Sequence, residues 1–203
     1  MAVHDDPAMD GLNWGASAMR AARDRLEIAA HNLANVSTGG FRRRVARVSL
    51  TPRGLSVADA AGSDQGGLRR TGRPFDLALA GPGAFHAGSH ATRDGAFTRD
   101  RSGYLRDAAG AALRGSRGPL VVSEEARVER DGSVRDGGRI VDRLPLPAGT
   151  TVEAGALEAS GVNAIDETLA ILTAQRAFES AQKTVAAIDA AREKAANDVV
   201  RLK

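Results

Sequence analysis

Residues 165 to 202 contain neither glycine nor proline, in a chain that has 23 glycines. Backbone free of both over that length favours one long helix, and the side chains say which face it buries. Ile171, Phe178, Val185 and Val199 fall on a seven-residue beat that Arg192 interrupts. Ala174, Ala181, Ile188, Ala195 and Leu202 form a second series three residues later. This is the a/d pattern of a coiled-coil seam, and alanine in the second series lets a facing helix come close. A seam this long needs a partner surface, from the same chain or from a neighbour.

The N-terminus offers one. Leu12, Met19, Leu26 and Leu33 are spaced by sevens, with Gly15, Ala22, Ala29 and Val36 at the interleaved positions. Residues 1–10 read as a polar, frayed end. Asp10 is a candidate helix cap, and Gly39-Gly40 is expected to end the helix. At 1.5 Å per residue, residues 11–36 would span roughly 40 Å and residues 162–203 roughly 60 Å. The two seams can pair in either direction within a chain, or join neighbouring subunits.

Between them the period changes. Asp76 to Ala80 and Leu120 to Val122 read as short strands. Asp94-Gly95, Asp131-Gly132 and Asp136-Gly137 are dipeptides of the kind that close hairpins. Phe41 to Val48 reads as an extended start, and Thr51 to Gly67 as a loop or linker because it carries Pro52 and four glycines. Pro145 and Pro147 favour an extended exit. The fold class is therefore α+β. Residues 1–40 form the N-terminal helix of a coiled-coil assembly domain, and 41–67 a basic extended segment and linker. Residues 68–157 form a small, mostly antiparallel β module, and 158–203 the C-terminal helix of the assembly domain.

Composition bears on chemistry. Aromatics make up only 3% of the chain, which gives an enzyme-like core little large side-chain area. There is no cysteine, so disulfides, thiolate metal sites and cysteine nucleophiles are excluded. Met1 to Arg20 shows no cleavable secretory signal, and no segment reads as membrane-spanning. The net charge is +3, and the positive excess lies in residues 37–70, with seven arginines against Asp59 and Asp64. The cluster Arg42, Arg43, Arg44 and Arg47 suggests one alternative function, a basic nucleic-acid-binding module. The absence of stacking aromatics or a recognisable motif beside it argues instead for a solvated or inter-subunit strand. His86 and His90 are four residues apart in a glycine-rich β region, and no metal site is expected there. Gly81-Pro82-Gly83 lacks the spacing of a phosphate loop and reads as a turn. Glu124-Glu125 does not form a catalytic dyad, and no nucleophile, base and orienter set is visible. No catalytic, metal or cofactor-binding residue is assigned, and no small-molecule substrate is expected.

Several blocks carry a resemblance. His31 to Arg42 reads H-N-L-A-N-V-S-T-G-G-F-R, with Asn32, Asn35, Thr38, Gly40 and Phe41 at its fixed positions. Thr71 to Gly81 reads T-G-R-P-F-D-L-A-L-A-G, and Thr92 to Phe97 reads T-R-D-G-A-F, with Gly103-Tyr104-Leu105 after it. Gly161-Val162-Asn163 and the block Ala174 to Glu179, which includes Gln175 and Arg176, follow. Together these resemble, in the right order, the bacterial flagellar basal-body rod and hook proteins. Gly39 stands where that family usually has proline, Ala84 where an aromatic is common, and Gly161 where asparagine is usual. The chain is short for a hook protein, and the block order is similar to that of the proximal or distal rod proteins.

The resemblance implies a structural, non-enzymatic subunit without cofactor. Such subunits leave the cell through the flagellar export apparatus without a cleaved signal peptide. They assemble helically, with copies of themselves and with other rod and hook proteins, into the periplasmic drive shaft that carries torque from motor to hook. The assembly seam expected is Leu12, Met19, Ala22, Leu26, Ala29, Leu33, Ile171, Ala174, Phe178, Ala181, Val185 and Ile188. Membrane insertion and nucleic-acid binding are not expected.

Overall fold

The heptads at the two ends fold as helices, and the glycine-rich middle folds as a β unit. The computed structural model describes residues 11–62 and 65–201, so the predicted cap Asp10 and the last seam residue Leu202 lie outside the described residues. Helix α1 is Gly11–Ala34 and helix α2 is Ala164–Arg201. With the hairpin of residues 44–62 they make one compact unit, and residues 35–43 and 65–162 make the other.

In the helical unit α1 and α2 run antiparallel. A side chain built at Gly11 would sit 3.2 Å from Ile188 Cδ1, and one at Gly15 only 2.4 Å from Val185 Cγ2. At the other end Asn32 meets Glu167. The buried seam positions are the small ones, namely Gly15, Ala22, Ala29, Ala174 and Ala181. Leu12, Met19, Leu26, Leu33, Ile171, Phe178, Val185 and Ile188 are half-buried around them. Small residues let the two backbones approach, and the larger side chains close over the line of contact.

Helix α1 ends earlier than the glycine pair suggested. It stops at Ala34, where the Thr38 amide donates to Asn35 O at 3.1 Å and turns the chain. At the start of α2, Asn163 Oδ1 accepts the Ile165 amide at 3.0 Å as an N-cap. Asp166 and Glu167 lie in the first turn, where the helix dipole favours negative charge.

The linker expectation for Thr51 to Gly67 is corrected. Strands β1 (Arg44–Thr51) and β2 (Gly54–Ala61) form an antiparallel hairpin, in register from Arg44 opposite Ala61 to Thr51 opposite Gly54. Pro52 misled because proline weakens strands. Here it occupies the two-residue turn, where its missing N–H costs no ladder bond. Thr51 Oγ1 donates to Gly54 O at 2.8 Å across that turn. The hairpin lies along α1, with the Leu55 amide donating to Ser17 Oγ at 3.3 Å.

In the β unit every strand pairing among the described residues is antiparallel. The unit is closed by long-range pairs. Strand β3 (Leu68–Arg70) pairs with β15 (Ala156–Glu158), and β4 (Leu77–Ala80) with β14 (Thr151–Ala154). Between them come the short hairpins β5 (Phe85–Ala87) with β6 (His90–Thr92), β7 (Thr98–Arg99) with β8 (Leu105–Arg106), and β9 (Arg114–Gly115) with β10 (Gly118–Pro119). The sheet of β11 (Arg127–Val128), β12 (Ser133–Asp136) and β13 (Arg139–Arg143) follows. Leu77, Leu79, Phe85, Phe97, Leu105, Leu113, Leu120, Val134 and Val152 form the core, with Phe85 and Phe97 edge to face at 5.4 Å.

Asp136-Gly137 closes a hairpin as expected, because Gly137 and Gly138 both hold positive φ. Asp131-Gly132 lies in the turn between β11 and β12. Asp94-Gly95 does not close a hairpin. Gly95 lies against another stretch of backbone, where any Cβ would fall 1.6 Å from Leu77 O. Leu120 to Val122 is not a strand either, and only Val121 bridges to Tyr104.

Three turn carboxylates staple this unit. The Ser123 hydroxyl donates to Asp136 at 2.6 Å and holds its carboxyl below the usual aspartate range. The Ser133 hydroxyl does the same for Asp131, and the Arg106 guanidinium for Asp100. A lowered folded-state pKa gives stability that is fully present above the unfolded value of about 3.9. That stability is lost as pH falls through the lower folded value. Asp136→Asn is therefore expected to lower the melting temperature at neutral pH, with the variant and native curves converging toward pH 2. Thermal melts across pH check this, and a gap independent of pH would contradict it.

Candidate assembly site

The asparagine block explains how α1 ends. Asn32 is fully buried. Its Nδ2 donates to Arg44 O at 2.8 Å and to Glu167 Oε2 at 3.2 Å, and its Oδ1 accepts the Arg44 amide at 2.8 Å. The side-chain amide thus pairs with Arg44 as a neighbouring strand would, and fixes where β1 begins. Glu167 is only 1% exposed. In the sequence Asn32 stands out as a fixed position of the family block, whereas nothing singles out Glu167.

The rest of the block organises the β unit. Asn35 O accepts Ser160 Oγ at 2.9 Å, and Thr38 Oγ1 donates to Asn35 Oδ1 at 3.2 Å. The Gly40 amide donates to Glu158 O, and Phe41 O accepts the Gly161 amide, both at 2.9 Å. Gly40 has φ +63°, and a Cβ there would meet Arg93 backbone at 2.4 Å. Only glycine fits that approach.

The two middle blocks are also structural. Asp76 is fully buried and accepts Thr71 Oγ1 at 2.6 Å and Arg73 Nε at 2.9 Å. Burying a carboxylate is costly unless it is paired, and here Thr71 and Arg73 supply the partners. Arg73 Nη2 lies 2.8 Å from Asp76 Oδ1. Arg93 is 7% exposed and its guanidinium satisfies four residues. Nη2 lies 2.7 Å from Glu158 Oε2 and donates to Leu79 O, and Nη1 donates to Gly81 O and Gly83 O.

Gln175 and Phe178 line a groove of about 360 Å³ with Ala22, Arg23, Leu26 and Glu179, between α1 and α2. Arg176 is exposed on the opposite side of α2. That side carries a feature the heptad reading missed. Ile165, Leu169 and Leu172 are 70%, 57% and 46% exposed. At 100° per residue they form one ridge, roughly 180° around the helix from Ala174, Phe178 and Ala181. The spacing of four and three residues was the available signal. Helix α2 therefore has an inner face that pairs with α1 and an outer apolar face with no covering in the described residues.

The basic cluster is partly neutralised. Arg44 forms a two-point ion pair with Asp59 on β2, with Nε–Oδ1 at 2.9 Å, while Arg47 is exposed. His86 and His90 lie on paired strands, and His90 Nε2 meets Asp107 Oδ2 at 2.9 Å. Among the described residues there is no group of three His, Asp or Glu placed to hold a metal ion, and no helix is long and apolar enough to cross a membrane.

An antiparallel helix pair with an outer apolar ridge, in a chain that also holds an antiparallel β unit, fits a structural assembly subunit. Comparison with known proteins gives the family. Residues 12–42 match the Flagella basal body rod protein family, and residues 153–198 the Flagellar basal body rod FlgEFG protein C-terminal family. The flagellar basal-body rod protein FlgF of Caulobacter vibrioides is 31% identical, over 86% of this chain and 91% of its own length. FlgG of Bacillus subtilis is 26% identical, over 88% of this chain and 94% of its own. The hook protein FlgE of Brucella abortus is 34% identical over 52% of this chain, but over only 31% of the hook protein. The chain belongs to the flagellar basal body rod protein family, whose members are structural and non-enzymatic.

Proposed function

We propose that this rod subunit self-assembles helically through its terminal helices, as part of the periplasmic shaft that transmits torque from motor to hook. A heterologous contact that does not close on itself generates a filament, which is the geometry a shaft requires. The observation that carries this reading is the outer ridge of Ile165, Leu169 and Leu172. With the inner face of α2 already paired to α1, an apolar ridge on the other side fits a further subunit. Its partners are copies of itself and other rod and hook proteins, delivered by the flagellar export apparatus without a cleaved signal peptide. The chain spans nearly the whole of its FlgF and FlgG relatives, which favours a rod position over a hook position.

The test is complementation of a deletion strain. The native chain restores complete basal bodies and swimming, and a variant with Leu169→Asp and Leu172→Asp does not. Full motility with that variant would overturn the proposal.

A further inference from the structure

We propose that Glu167 is a positioning residue that acts through Asn32 to fix the path of the chain from α1 into the β1–β2 hairpin. The inference deepens the assembly reading and rests on it only for its consequence, the pose of a hairpin that exposes Val48 and Leu50. The bonds themselves belong to the single chain.

Three observations carry it. First, Asn32 replaces a missing strand. Arg44 is the first residue of β1, and its amide and carbonyl, on the edge not used by β2, are both bonded to the Asn32 side chain at 2.8 Å. Second, this pairing demands one orientation of the Asn32 amide. The amide group must face Arg44 O and the carbonyl must face Arg44 N–H, because the reverse would oppose two acceptors. Third, Glu167 reinforces that orientation and holds the side chain in place. A carboxylate only accepts, so Glu167 Oε2 at 3.2 Å rewards the rotamer that presents Nδ2 and penalises the flipped one.

Both side chains are essentially fully buried, at 0% for Asn32 and 1% for Glu167. Water cannot stand in for either without opening the helix pair. The Asn163 cap places Glu167 in the first turn of α2, where the dipole supports its charge. A residue on the C-terminal helix thereby sets the geometry of the hairpin at Arg44, where the chain returns to the helical unit after residues 35–43.

The test is amide hydrogen exchange on the full-length chain in its unassembled form, for the native protein, Glu167→Ala, Glu167→Gln, Asn32→Ala and the double alanine variant. Protection of residues 44–50 is expected to fall about tenfold or more in Glu167→Ala, as for a lost charged hydrogen bond. The residue 77–152 core should keep its protection. Glu167→Gln, which keeps an acceptor for Nδ2, should stay within about threefold of native. In the Asn32→Ala background, removing Glu167 should change the hairpin no further, because the effect runs through Asn32. If Glu167→Ala opens the helix pair as a whole, Glu167→Gln decides, with hairpin protection retained supporting the proposal and a tenfold loss overturning it. Unchanged hairpin protection in Glu167→Ala, or additive losses in the double variant, would also overturn it. None of these readouts requires assembly, so failure here is distinct from failure of the rod reading.

Discussion

Replacing Arg93 with alanine is expected to destabilise the β unit by about 3–5 kcal/mol, the range for breaking a buried ion pair. The pair of Arg93 and Glu158 is 7% and 2% exposed. Removing the guanidinium leaves the Glu158 carboxylate buried without its cation. It also removes the guanidinium donors to Gly81 O and Gly83 O and one of the two side-chain donors to Leu79 O, which keeps Gln65 Nε2. Glu158→Ala should cost less, because the guanidinium keeps its three carbonyl acceptors. The double change Arg93→Met with Glu158→Leu should recover much of the loss, since apolar replacements of buried pairs are often close to neutral. Urea unfolding followed at Tyr104, the single tyrosine and a residue of the β unit, measures these differences. Equal, small losses for both single variants would show that the pair is not what holds these strands.

The second large effect is on assembly. Fully burying one leucine or isoleucine contributes about 1.5–3 kcal/mol, so covering the part of Ile165, Leu169 and Leu172 that is still exposed offers roughly 3–5 kcal/mol per subunit contact. Aspartate at 169 and 172 removes most of that and places two carboxylates where apolar contact is needed. The folded chain should tolerate the change. Both residues are already about half exposed, and aspartate in a helix interior costs only about 0.7 kcal/mol each in propensity. The expected result is a chain with native helix content by circular dichroism that fails to restore rods or swimming. Loss of helix content would instead assign the ridge to folding of the subunit.

Much of this architecture was legible in the heptads. Glycine or alanine at most of the interleaved seam positions announced a close helix pair, and Gly15, Ala22, Ala29, Ala174 and Ala181 are all buried. The direction of pairing was not legible, because a seven-residue repeat of small residues suits either direction. The hairpin was missed because Pro52 and Gly54 were read as interruptions of a loop, when they mark the turn between strands. Asp94-Gly95 was misread for the reason that a turn glycine and a close-approach glycine look the same in one dimension. Only the packing of Leu77 O against Gly95 tells them apart. Glu167 was hidden by its type, since a glutamate in a first helical turn is ordinarily exposed. The outer ridge was visible in its spacing but was overshadowed by the longer seam on the other face.

In the assembled rod the outer face of α2 is expected to be covered by another subunit. The chain contains no cysteine, so Leu172→Cys introduces a single thiol whose accessibility is unambiguous. Maleimide labelling of that variant, as the free subunit and within isolated basal bodies, tests the claim directly. Rapid labelling of the free subunit and strong protection in the basal body is the predicted result. Equal labelling in the two states, with rods assembled and cells swimming, would contradict it.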